Sequence, residues 1–257
     1  MTRTLTRAAL LAAAIAASPF ATTADAASMA PATEFGLGDQ PTLAELEDCL
    51  GVIVIGDKEF TDFTYTPGVN APASDQIVVE GYQDSDGEIG LIFNVGFFAG
   101  VVGPDVINAS LRFTVNILDP LFVFDSATLT TTGTVPTLAG NSGVLGIEEV
   151  LVGEPGSGQY LLQTENNVLN GVQGPVSNFD EVFFPQSTAF TSLTVTKDIG
   201  VAAGEFNGTG MDPPDDFDRA RLTTFTQGFN QRVIPEPTAV ALLGMAVSVG
   251  LAFQRRR

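Results

Sequence analysis

The sequence predicts an all-β protein, a single antiparallel β-sandwich of the jelly-roll-like or Ig-like kind. Three observations carry this. Apolar and polar residues alternate with a period of two over several stretches, as half-buried strands require. These short runs are separated by turns rich in Gly, Pro and Asp. The body between the two ends, residues 27–232, is of ordinary length for one sandwich with a full core.

The first element is a leader. Residues 1–26 carry Arg3 and Arg7, then the apolar run Ala8–Ala17, then Ala24-Asp25-Ala26. A basic n-region, a short apolar h-region and a small-x-small site describe a signal peptide. Cleavage is expected after Ala26, with Ala24 and Ala26 in the peptidase's narrow pockets. Thr42-Leu-Ala-Glu45 then fits a capping box for a short helix, at whose end the lone cysteine, Cys49, is expected to be buried. A single cysteine rules out an intrachain disulfide.

Strands follow. In Ala109–Leu118, the residues Leu111, Phe113, Val115 and Ile117 share one face, and Ile89–Phe98 repeats the pattern. Leu193 and Val195 do the same within Thr191–Lys197. Further strands are expected at Val52–Ile55, Phe60–Thr66, Gln76–Tyr82, Leu121–Thr131, Val144–Val152, Gln159–Thr164 and Arg221–Phe229. Turns fall at Thr66-Pro-Gly68, Asp86-Gly87, Val102–Asp105 and Gly153–Gly158, and Gly204–Asp218 is the most loop-like stretch.

Composition excludes several activities. The body carries about 6 basic against about 28 acidic residues, a field that repels phosphate backbones, so no nucleic-acid partner is expected. With no histidine there is no Ser-His relay, no imidazole acid–base and no His-bound metal. Gly140-Asn-Ser-Gly143 lacks the spacing and the base of a nucleophile turn. A carboxylate-only glycosidase needs two facing acids, yet no Asp or Glu stands out as an isolated carboxylate in an apolar run. The protein is read as non-enzymatic, with no catalytic residue and no cofactor.

Asp84, Asp86 and Glu88 are the only calcium candidates, as a weak surface site. An EF-hand alignment places Tyr82 and Phe93 where acids are required, so a hairpin through Asp86-Gly87 is the expected structure. Sugar binding suits a surface sandwich, but there is no Trp for ring stacking, and most of the 19 Phe fall at inward positions. The two lysines, Lys58 and Lys197, each adjoin an aspartate, and pairing with acids on neighbouring strands is expected.

The chain ends in Val233–Arg257. Thr238–Phe253 is uncharged and would span about 24 Å as a transmembrane helix, short of a ~30 Å hydrocarbon core. Arg255, Arg256 and Arg257 would act as the stop and stay cytoplasmic. Pro235-Glu236-Pro237 directly before such a segment resembles the PEP-CTERM sorting signal of bacterial exported proteins. That resemblance implies recognition of Pro235, Glu236 and Pro237 by an exosortase, after signal peptidase has acted, with the membrane held only through the C-terminal helix before processing. It implies a protein that passes the inner membrane and reaches the cell envelope surface or extracellular matrix.

Within the body, Gly56-Asp-Lys-Glu-Phe60 followed by Phe63 and Tyr65 resembles the opening of a group of PEP-CTERM proteins with a β-rich body. Thr196–Ile199 and Phe225–Phe229 are similar to its later segments. The expected role is structural or adhesive in an exopolysaccharide or biofilm layer. The alternative is a polysaccharide-binding module, with calcium assistance as a variant of it.

Overall fold

The computed structural model describes residues 33–48, 50–100, 106–135, 143–154, 158–168, 175–203 and 219–234. The leader with Ala24 and Ala26, Cys49, most of Gly140–Gly143, the loop Gly204–Asp218 and the tail with Pro235–Pro237 and Arg255–Arg257 lie outside them.

In chain order the first strands are β1 (Glu34–Phe35), β2 (Val52–Ile55), β3 (Lys58–Pro67), β4 (Val78–Gln83) and β5 (Ile89–Gly100). Next come β6 (Val106–Ile117), β7 (Phe122–Thr134), β8 (Gly143–Glu154) and β9 (Gln159–Val168). The last are β10 (Pro175–Phe183), β11 (Ser192–Ala203) and β12 (Arg219–Val233). Seven strands form one sheet, ordered β1-β2-β3-β6-β11-β8-β9, and five form the other, β10-β7-β12-β5-β4. The protein is an all-β two-sheet sandwich. Its ladders are antiparallel apart from the two-residue β1–β2 pairing, which is parallel.

The expected capping box forms. Thr42 N–H donates to Glu45 Oε2 at 2.7 Å, and Glu45 N–H donates to Thr42 Oγ1 at 3.3 Å. The helix it starts, α1 (Leu43–Asp48), buries Leu43 and Leu46.

Alternation sets the core. Leu111, Phe113, Val115 and Ile117 of β6 are buried, as are Ile89, Leu91, Phe93, Val95 and Phe97 of β5. Phe93 stacks on Phe225 of the neighbouring strand at 4.6 Å between centroids. The spacing of Phe60, Phe63 and Tyr65 breaks a period of two, and the structure shows why. β3 changes register between Thr61 and Thr64, with Asp62 at a φ of 57°. This bulge resets the parity, so all three rings are buried.

β10 was not legible from alternation, because its pattern is inverted. Phe179 and Phe183 are 63 % and 66 % exposed. On the other parity, Asp180 Oδ2 accepts from Gln163 N–H at 2.7 Å, and Asn178 Nδ2 donates to Glu165 O at 2.6 Å. Both partners lie on β9, the edge of the opposite sheet. Polar side chains of β10 thus satisfy an edge whose backbone groups would otherwise be open.

Candidate functional site

The outer face of the seven-stranded sheet carries an open groove of about 370 Å³ across β6, β11, β8 and β9. The exposed polar side chains that line it are Asn108, Glu148, Gln163, Glu165 and Asp198. A second hollow shares Asn108 and Asp198 and carries the depression on to Thr66, Pro67 and Gly68. Among the described residues no cationic side chain lines either part.

Strand parity builds this groove. Asp198 and Gly200 are outward residues of β11, while Lys197 and Ile199, which flank Asp198, point into the core. Gly200 lies directly opposite Gly146 of β8 and Asn108 of β6. A Cβ at Gly200 would meet nothing within 4 Å, so the missing side chain is open space at the floor. Asp198 is opposite Glu148 on one side and Ser110 on the other. Two like charges facing each other across a ladder oppose folding by roughly 0.2–1 kcal/mol. Arg112 of β6 stands one rung away, opposite Thr196, and among the described residues it forms no ion pair with either acid, so the floor is rich in hydrogen-bond acceptors.

The calcium candidates fall elsewhere and are not brought together. Asp84 Oδ1 accepts from the N–H groups of Asp86 and Glu88, both at 2.9 Å, closing the β4–β5 hairpin. Gly87 supplies the positive φ of 91° that this turn needs. Glu88 turns away across the outer face of the five-stranded sheet. It accepts from Tyr82 Oη at 2.6 Å and Thr128 Oγ1 at 3.0 Å. Gly228 makes room for it, since a Cβ there would sit 2.3 Å from Glu88 Cδ. Among the described residues no three acidic, cysteine or histidine side chains are placed to hold a metal ion.

The tyrosines give a pH prediction. Burial pushes Tyr65 from its usual 10 up to about 12, and burial with the Glu88 hydrogen bond pushes Tyr82 up as well. A folded-state value above the unfolded one means stability is present below pH 10 and lost as the pH rises through the folded value. Between pH 10 and 12 the tyrosines should therefore lower the melting temperature, as tyrosinate absorbance grows on unfolding. A melting temperature unchanged across that range would contradict the buried placement.

The lysines depart from expectation in part. Lys197 pairs with Glu149, its directly opposite neighbour on β8, as expected. Lys58 does not find an acid on a neighbouring strand, because its cross-strand partners are Ile55 and Ile117. It meets Asp57 in its own turn at 3.3 Å and Gln231 of the opposite sheet at 2.6 Å. Glu149 also corrects the expectation that no carboxylate is isolated among apolar residues, for it has no exposure at all. It holds core parity with Leu145, Ile147 and Leu151, just as Gln227 does between Phe225 and Phe229. Those interruptions of an apolar face are the signal that sequence reading passed over.

Fold and groove define an all-β sandwich with an acceptor-lined depression on its larger sheet. No protein-family model matches the chain, and no curated protein matches it. Among solved structures, it is similar to a carbohydrate-binding module described for specific mannan recognition, at 12% identity and a TM-score of 0.28. That match covers 74% of this chain and 96% of the module. It is also similar to a xylan-binding domain from Paenibacillus barcinonensis, at 10% identity and a TM-score of 0.25, covering 76% and 97%. A family 11 module from Clostridium thermocellum, in complex with a mixed-linked tetrasaccharide, gives 6% and 0.23 over 66% and 94%. At TM-scores this low the matches bear on neither topology nor ligand.

Proposed function

We propose that this chain is an exported polysaccharide-binding sandwich that takes a neutral glycan chain along the groove of its seven-stranded sheet. The observation that carries the reading is the groove itself: an open floor at Gly200, bordered by Asn108, Glu148, Gln163, Glu165 and Asp198, with no cation among the described lining residues. Sugar hydroxyls are donors and acceptors in pairs. Carboxylates accept two such donors, and amides answer both kinds. An acidic floor repels anionic polymers and leaves neutral ones as ligands. Open ends admit the interior of a long chain. Among the described lining residues there is no aromatic ring, which favours weak, many-fold contacts over tight capture.

The leader and the PEP-CTERM-like tail give this module its address. Sorted by an exosortase, it would sit in the exopolysaccharide layer, and glycan binding there is a structural or adhesive role. A jelly-roll-like wrap accords with a chain that changes sheet at most of its connections. No catalysis is proposed. Glu148 and Asp198 stand side by side on adjacent strands of one face, whereas glycoside hydrolysis requires two acids flanking the bond.

Affinity electrophoresis of the full-length protein through gels containing neutral polysaccharides tests the reading. Gly200→Val fills the floor without changing charge, and removing glycine from a strand adds about 0.5–1 kcal/mol of stability. The expected result is retardation of the wild type, loss of retardation in Gly200→Val with no fall in melting temperature, and no effect of chelator. Equal mobility of wild type and variant through every polysaccharide would overturn the proposal.

A further inference from the structure

Lysine is almost never fully buried, yet both lysines of this chain have 0 % exposure. Each reaches across the sandwich to a glutamine of β12. Lys197 Nζ donates to Gln227 Oε1, and Lys58 Nζ donates to Gln231 Oε1. Each also has a carboxylate partner, Glu149 for Lys197 and Asp57 for Lys58. The Asp57 side chain is 20 % exposed, whereas Lys197, Glu149 and Gln227 are all at 0 %.

The enclosed group is poorly explained as a stabilising ion pair. Desolvating two charges offsets most of their attraction. Glu149 Oε1 and Gln227 Nε2 have no hydrogen-bond partner, and a buried polar atom left so is costly. Burial also drives the Lys197 amine down and the Glu149 carboxyl up, toward the uncharged forms of both. The ring of Phe225 lies 5.6 Å from Lys197 Nζ and walls the group from water. What the geometry brings together in a dry site is an amine, a carboxamide and a carboxyl, with burial biasing the amine and the carboxyl toward their uncharged forms. Those are the parts of an amide exchange.

We propose that Lys197 and Gln227 become joined by an intramolecular isopeptide bond, formed by the folded chain itself with Glu149 carrying the proton. Lys197 Nζ attacks Cδ of Gln227 and the Cδ–Nζ bond forms. The Nζ proton passes through the Glu149 carboxyl to Nε2. The Cδ–Nε2 bond then breaks and ammonia leaves. One proton moves from amine to leaving group, Glu149 ends as it began, and nothing is oxidised or reduced. The product removes the orphaned amide nitrogen and the buried amine together. It ties β11 of one sheet to β12 of the other in a chain with no disulfide of its own.

Proteolytic digestion of the full-length protein, read by tandem mass spectrometry, tests this directly. The expected result is a branched peptide joining the Lys197 and Gln227 segments, lighter by one ammonia than the sum of its parts, with no cleavage after Lys197. Glu149→Gln, checked for folding by circular dichroism, is expected to give the two linear peptides. Linear peptides with a free Lys197 from the folded wild type would overturn the proposal, and so would a branched peptide lighter by one water, which would place the bond on Glu149. Undiminished branching in Glu149→Gln would overturn the proton-carrying role.

Discussion

Glu149→Ala is expected to destabilise the protein by about 3–5 kcal/mol, the range for removing one partner of a buried ion pair. For a domain of this size that is a drop of roughly 10 °C in melting temperature. The reason lies in what remains. Lys197 would keep its place on β11 between Thr196 and Asp198, with no exposure and no acid opposite it. Loss of the proposed isopeptide bond adds to the figure. The sign with pH follows from the lowered Lys197 value. The folded chain gives up the Lys197 proton at a lower pH than the unfolded chain does, so below the ordinary lysine value of 10.5 folding releases protons and stability rises with pH. The variant should therefore regain part of its loss between neutral pH and pH 10. Thermal melts over that range check both statements, and a variant as stable as wild type at neutral pH would refute them. Replacing Lys197 and Glu149 together by Met and Leu should be milder than Glu149→Ala, because both variants forfeit the proposed bond but the double variant strands no charge.

Phe113→Ala is expected to cost about 3–5 kcal/mol, among the largest effects in the core. Phe113 sits on β6 near the middle of the larger sheet and is wholly buried. Its ring lies 5.6 Å from Phe63, 5.9 Å from Phe93 and 6.4 Å from Phe60 between centroids. Phe93 in turn belongs to the opposite sheet, so truncation opens a cavity between the layers that no single strand can close. Chemical denaturation with an unchanged slope is the check. Phe183→Ser provides the contrast. That ring is 66 % exposed on an edge strand, and its loss should fall within about 0.5 kcal/mol of wild type.

These two sites mark how far the sequence could be read. Phe113 was legible, because Leu111, Phe113, Val115 and Ile117 alternate with polar residues over one strand, and burial follows from parity alone. Alternation likewise placed β5, and short apolar runs between turn formers placed β2 and β8, within a residue or two of their observed ends. It failed where a local feature reverses or resets parity. β10 turns its phenylalanines out so that Asn178 and Asp180 can serve the edge of β9, a partner unknown until the strands are assembled. The bulge at Asp62 shifts Phe63 by one position, and no composition rule announces it.

The lysines were conspicuous as residues but not as a pair of cross-sheet contacts. Strand order decides that Gln227 and Gln231 face them, and strand order is not written in any single segment. The groove is of the same kind. Gly200 and Gly146 read as breaks in separate strands, and only register sets them opposite each other. The acids that line it are lost among about 28 until the sheet gathers five polar residues on one face.

Hydrogen–deuterium exchange of the full-length protein, with and without the neutral polysaccharide that retards it most, tests the assignment of the groove most directly. The account predicts slowed exchange at the outer-face segments of β6, β11 and β8 around Asn108, Gly200 and Gly146, with the five-stranded sheet unchanged. Protection confined to that other sheet, around Tyr82, Glu88 and Asn230, or no protection anywhere at saturating polysaccharide, would contradict it.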